Sequence, residues 1–171
     1  MIILYLYITL NRRKKGAVMG DSKGEFGLNY FGAAFWQIGN AWKRRAVAVL
    51  RPQNITVVQF MVLRAVESIR NRQRIVSQIE IATELHANPM VVSSVIRSLK
   101  KQRLVSVKVH PKDSRAKRVD LTPVGEDNLK ISHELIVEME SKFFQTIPSD
   151  DDEFNRQLTS LARAHPFTLE Q

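Results

Sequence analysis

One stretch, Asp113-Ser114-Arg115-Ala116-Lys117-Arg118-Val119-Asp120-Leu121-Thr122-Pro123-Val124-Gly125, constrains the fold more than any other part of the chain. Its first half crowds three cations beside one acidic residue at a turn. Its second half alternates apolar and polar residues through Val119 and Leu121, then closes on Thr122-Pro123, which is a helix start. A basic hairpin tip, a half-buried strand and a capped helix in direct succession suit few folds. A cationic fingertip of this kind is what a protein needs to reach phosphates.

The residues upstream extend the pattern. Val105, Val107 and Val109 alternate with Ser106, Lys108 and His110, which predicts a half-buried strand. His110 to Ser114 has turn chemistry, and Lys117 to Leu121 returns as the partner strand. Before this hairpin, Asn88-Pro89 opens a helix, since Asn caps well and Pro is pre-set for the first helical position. Val92, Val95, Ile96 and Leu99 fall at i, i+3, i+4 and i+7 and form its inner face, leaving Met90, Ser93, Ser94 and Arg97 outward. Ser77-Gln78-Ile79-Glu80 has the form of a capping box and opens a shorter helix running to about His86, with Ile81, Ala82 and Leu85 inward. Two short helices joined by His86-Ala87-Asn88 have the spacing of a helix-turn-helix, whose second helix lies in the major groove. A solvated helix face more often carries Glu and Lys, whereas small hydroxyls and an arginine suit base edges. Lys100, Lys101 and Arg103 at the helix end favour its dipole as well as phosphates.

The remaining helices frame this lobe. Phe31, Phe35, Ile38 and Trp42 recur at helical spacing between Leu28 and about Leu50, a pattern read as a helix-helix interface. Thr56 and Gln59 form a capping box for a helix from Val57 to about Ile69, after which Asn71-Arg72-Gln73-Arg74 is expected to break the pattern. Pro123 starts a long helix through about Phe144, and Pro148-Ser149-Asp150 a shorter one toward Ala164. The expected fold is mainly α with a small β-hairpin wing. A winged helix-turn-helix lobe over about residues 55–122 sits within one domain spanning residues 28–165, with N- and C-terminal helices for dimerisation and a tail at residues 166–171.

At 171 residues and 44% hydrophobic, the chain is long enough for a real core. Its net charge of +9 is unevenly placed: residues 74–118 carry 10 Lys/Arg against 3 Asp/Glu, and residues 119–171 carry 4 against 11. A basic middle points to a polyanionic partner, and the acidic end to partner or self-association. The absence of cysteine excludes a disulfide framework, thiolate zinc sites and thiol redox sensing, and is compatible with a cytoplasmic protein. Ile2 to Leu10 is apolar and Arg12-Arg13-Lys14-Lys15 follows it, the reverse order of a signal peptide and about half the length of a membrane span. Lys15-Gly16-Ala17 can be encoded by purine-rich codons resembling a ribosome-binding site just upstream of Met19. Residues 1–27 are therefore expected to lie outside the folded domain, with the natural start at Met19; the mass of protein made from the native gene checks this, and finding residues 1–18 present would refute it.

Taken together these motifs resemble the MarR (multiple-antibiotic-resistance regulator) family of bacterial winged-helix transcription factors, over about residues 28–165. The wing motif Asp113-x-Arg115 with Val119-x-Leu121-Thr122-x-x-Gly125 is the most specific part. Ile55-Thr56-x-x-Gln59-Phe60-x-Val62-Leu63 and Ile81-Ala82-x-x-Leu85 support it. The resemblance implies a homodimer, two winged lobes and a palindromic operator, with Arg115 in the minor groove, Asp113 orienting it, and residues 89–101 in the major groove. It implies a repressor without catalytic activity or cofactor, released by a small apolar or aromatic effector near Phe31, Phe35, Trp36 and Trp42. The same aromatics also read as dimer core. Two departures stand out. Arg103 occupies a position where the family has glycine, and the cysteines and clustered histidines of the peroxide- and metal-sensing branches are missing.

The residues expected at DNA are Ser77, Gln78, Asn88, Pro89 and Met90 at the helix starts, Ser93, Ser94, Arg97 and Lys101 along the second helix, and Lys112, Asp113, Arg115, Lys117 and Arg118 on the wing. The alternative is a winged-helix protein-interaction module that docks through its acidic C-terminal segment and reads no DNA. No ordered Ser/His/Asp set, glycine-rich phosphate loop or paired catalytic carboxylates stand out.

Overall fold

The computed structural model describes residues 31–73, 75–110, 113–147 and 152–164. Among these the order is α1 (Phe31–Leu50), a 3-10 turn (Arg51–Gln53), α2 (Val57–Gln73), α3 (Gln78–Glu84), α4 (Pro89–Lys101), β1 (Val105–His110), β2 (Asp113–Leu121), α5 (Pro123–Phe143) and α6 (Asp152–Ala164). The chain divides into two compact units, residues 1–38 and 39–171, and the helix-turn-helix and wing lie wholly within the second. Residues 1–30 and the tail fall outside the described residues, as does the expected start at Met19. Among the described residues, no single helix is long and apolar enough to cross a membrane.

The core of the second unit gathers Phe60, Leu63 and Val66 of α2, Ile81 and Ala82 of α3, Val92, Ile96 and Leu99 of α4, and Leu129, Ile136 and Met139 of α5. These include the inward residues read from helical spacing; Leu85 and Val95 are half-buried and pack against the cluster. Each fully buried Val, Leu or Ile contributes about 1.5–3 kcal/mol, so this interior outweighs the intrinsic weakness of helices as short as α3.

Three boundaries differ from those expected. First, α2 continues to Gln73 instead of breaking at Asn71, because its last turn is held by tertiary ion pairs: Arg70 with Glu126 of α5, and Arg72 with Glu84 of α3 at 2.7 Å. Second, β2 begins at Asp113, not Lys117, so residues expected in the turn are extended. The register passes from Val109 opposite Lys117 to His110 opposite Asp113, and residues 114–116 intervene on β2 alone. Third, Val109 is 68% exposed although it continues the alternation of Val105 and Val107. Val105, Val119 and Leu121 are buried and Val107 half-buried, so the hairpin leaves the core between Val107 and Val109. At its base a third extended segment joins the hairpin, with Val119 N–H donating to Val76 C=O at 2.8 Å and Ser77 bridging Arg118.

The junction between α4 and α5 fixes both elements. The Arg103 N–H donates to Lys100 C=O at 3.0 Å and the Leu104 N–H to Leu99 C=O at 3.0 Å, while Arg103 takes φ 60°. This is a Schellman ending built without glycine, and its apolar clasp is the buried pair Leu99 and Leu104. Thr122 then caps α5: its Oγ1 accepts from Gly125 N–H at 3.0 Å and donates to Arg103 C=O at 2.6 Å. A Cβ on Gly125 would lie 1.9 Å from the Leu104 carbonyl oxygen. Glycine is therefore needed here for close approach of two backbones, whereas at Arg103 it is missing where the backbone asks for it.

The two positions predict opposite effects in urea unfolding. Gly125→Ala should destabilise by at least about 1–3 kcal/mol through overpacking against a backbone carbonyl. Arg103→Gly should stabilise by about 0.5–1 kcal/mol, because the cost of a left-handed L-residue exceeds the added entropy of an unfolded glycine. Destabilisation by both would contradict this account of the junction.

Candidate nucleic-acid interface

The helix-turn-helix is fastened at each end by its own side chains and backbone. Ser77 Oγ accepts from Glu80 N–H at 3.2 Å and Glu80 Oε2 accepts from Ser77 N–H at 2.7 Å, a complete capping box on a helix of seven residues. At the other end, His86 N–H donates to Thr83 C=O at 3.1 Å and Ala87 N–H to Ala82 C=O at 2.9 Å, with His86 at φ 46°. Histidine tolerates the left-handed region better than most residues, so this turn also closes without glycine. Asn88 Oδ1 accepts from Met90 N–H at 2.8 Å, and Pro89 occupies the first position of α4.

With Val92, Ile96 and Leu99 buried, the opposite side of α4 must face outward. Pro89, Met90, Ser94, Arg97 and Lys101 are exposed and Ser93 is half-buried. Pro89, Met90, Ser93 and Arg97 line one shallow recess of about 310 Å³. Lys100 and Arg103 are exposed as well, and the 13 residues of α4 contain no carboxylate. The field over this face is therefore positive, and its apolar, hydroxyl and guanidinium groups can meet a surface carrying both phosphates and base edges. Ser77 and Asn88 act first as caps. Ser77 and Gln78 are half-buried, which leaves them less to offer than the middle of α4.

Lys112 lies outside the described residues, and for Asp113 and Arg115 only the extended backbone is described. Lys117 is exposed. Arg118 is half-buried and paired within its own strand, its Nε 2.8 Å from Asp120 Oδ2.

Spacing alone did not reveal how α4 is braced from behind. Gln59 is buried in α2; its Oε1 accepts from Thr56 N–H at 2.8 Å, and its Nε2 donates to Ser98 Oγ at 3.1 Å and to Gln102 Oε1 at 3.3 Å. The capping box at Thr56 was legible. The second use of the same amide, reaching 39 residues along the chain to α4, was not. The corner before α2 is tied in turn to α5, where Asn128 Nδ2 donates to Gln53 C=O at 3.1 Å.

Of the aromatics expected near an effector, only backbone is described for Phe31, while Phe35 and Trp36 are 66% and 70% exposed. Trp42 is half-buried against the core and donates its indole N–H to Glu140 Oε1 of α5 at 3.0 Å. One turn further along, the Arg45 guanidinium sits 5.0 Å from the Phe143 ring centroid. Trp42 therefore has a structural task, joining α1 to α5. Among the described residues, no group of three or more His, Asp or Glu could hold a metal ion.

Comparison with known proteins places this geometry. No protein-family model matches the chain. The uncharacterized HTH-type transcriptional regulator YdcH of Bacillus subtilis is 26% identical over 113 residues, 66% of this chain and 77% of the relative. Among solved structures, a MepR–DNA complex from S. aureus superposes with a TM-score of 0.71 at 23% identity, covering 80% of this chain and 98% of that one. A mutant MarR from E. coli complexed with operator DNA gives 0.68 at 19% identity, covering 77% and 91%. CouR from Rhodococcus jostii RHA1, bound to p-coumaroyl-CoA, gives 0.69 at 21% identity, covering 85% and 100%. The protein is a winged helix-turn-helix protein. Its particular version of that fold is the one seen in MarR-family regulators, as the motifs implied.

The brace behind α4 yields a direct test. Gln59→Leu keeps the apolar bulk but strands the Thr56 N–H and removes both bonds to α4, and should destabilise the chain by about 1–3 kcal/mol in urea unfolding. Ser98→Ala, which leaves Gln59 its bonds to Thr56 and Gln102, should cost clearly less. Equal losses would show that Gln59 acts only through Ser98.

Proposed function

We propose that this chain is a MarR-family transcriptional regulator that binds DNA through the outward face of α4. The observation that carries this reading is the combination of an exposed, carboxylate-free helix face holding Arg97, Lys100 and Lys101 with a helix-turn-helix fastened at both ends. The HTH-type relative and the structural neighbours solved on DNA support it. On this reading the protein works in the cytoplasm as a homodimer on a palindromic operator. Leu158 and Leu161, exposed in the single chain on α6, are apolar residues that a second copy would cover. Arg115 of the wing enters the minor groove with Asp113 orienting it, and Lys112, Lys117 and Arg118 belong to the same DNA-binding set. Repression relieved by an apolar or aromatic effector belongs to the same proposal, supported by the resemblance and by a neighbour that binds p-coumaroyl-CoA.

The test is retention of DNA from upstream of the protein's own gene, titrated at several salt concentrations. Wild type should retain that DNA specifically. If Arg97, which lines the recess, meets a base edge, Arg97→Ala should lose about 1–3 kcal/mol per half-site and relax discrimination at one operator position. A salt slope reduced by about 1 per subunit with unchanged discrimination would assign Arg97 to a phosphate instead. Failure to retain any DNA would favour the protein-interaction module.

A further inference from the structure

Both helices of the helix-turn-helix carry exposed apolar side chains. Met90 is 80% exposed, Ile79 at the start of α3 is 69% exposed, and Val91 is 52% exposed. Single exposed apolar residues are ordinary, but Met90 and Val91 lie on α4, which also carries Arg97, Lys100 and Lys101, so a partner covering this helix would be both anionic and locally apolar. The recess on α4 has that mixed character: Pro89 and Met90 give it apolar walls, Ser93 a hydroxyl and Arg97 a cation.

The major-groove edge of an A·T pair presents a 5-methyl group beside the O4 acceptor of thymine, within the field of the phosphates. We propose that this recess takes the 5-methyl group of a thymine in each half-site, with Pro89 and Met90 enclosing the methyl. The Ser93 hydroxyl can donate to the adjacent O4. Charge complementarity favours this occupant, since Arg97, Lys100 and Lys101 lie on the same helix, which carries no carboxylate of its own. Seven residues separate Met90 from Arg97, about 10.5 Å along the helix. That is about three base steps, so one helix face can read a methyl at one end and a hydrogen-bonding edge at the other. The inference rests on the DNA-binding reading and adds to it the chemistry of one recognised group.

The experiment uses the full-length chain and DNA that it enriches from a random pool. Each thymine of the enriched sequence is replaced in turn by uracil, which removes only the methyl. One position per half-site should weaken wild-type binding about four-fold per methyl lost from an apolar contact. Met90→Ala should bind uracil and thymine versions of that site within about two-fold of each other, while Met90→Leu, which restores apolar bulk, should recover the difference. Both variants should melt with wild type, since the side chain is exposed. If DNA is enriched but every uracil exchange is neutral, or the penalty is as large in Met90→Ala as in wild type, this inference is overturned and DNA binding stands. If nothing is enriched, both fall.

Discussion

Burial of one stripe of α4 is the interaction on which the rest depends. Val92, Ile96 and Leu99 are almost wholly shielded, so the helix cannot rotate without exposing them at about 1.5–3 kcal/mol each. That fixed rotation is what commits Met90, Ser93, Ser94 and Arg97 to the outside. The polar contacts add precision to it. Gln59 ties the back of α4 to the capped start of α2, the Schellman ending at Arg103 sets where the helix stops, and Thr122 and Gly125 lock that stop against α5. A reading head needs such rigidity, because a small rotation of the helix would carry Arg97 and Met90 away from the base edges they are proposed to meet.

The same junction shows a balance between local cost and global fit. Among the described residues three non-glycine residues, Asn54, His86 and Arg103, adopt left-handed backbone, each at a corner that orients a helix of the lobe. Asn and His tolerate that region; Arg does not. The strain at Arg103 is offset by the Leu99 and Leu104 clasp and by the Thr122 hydroxyl on its carbonyl. Its guanidinium adds to the positive charge beyond α4, a gain that glycine would forgo.

Much of this was legible in the sequence, for identifiable reasons. Helical periodicity located the inner faces of α2, α3 and α4, since burial there follows local spacing. Ser77, Thr56, Asn88 and Thr122 announced their helices because a cap bonds to backbone two or three residues away. What escaped was non-local. The continuation of α2 to Gln73 depends on Glu84 and Glu126, the exposure of Val109 on where the hairpin leaves the core, and the second role of Gln59 on a partner 39 residues away. On the candidate interface, spacing found the outward residues of α4 and cap chemistry found the roles of Ser77 and Asn88, but neither showed that Arg118 is paired to Asp120.

The central claim is that the face opposite Val92, Ile96 and Leu99 is the one that meets DNA. Photocrosslinking tests it most directly, with benzoylphenylalanine placed at Ser94 on α4 or at Glu134 on α5, both exposed positions. The account predicts crosslinks to enriched DNA from position 94 and none from position 134. Crosslinks from position 134 with none from position 94 would contradict it.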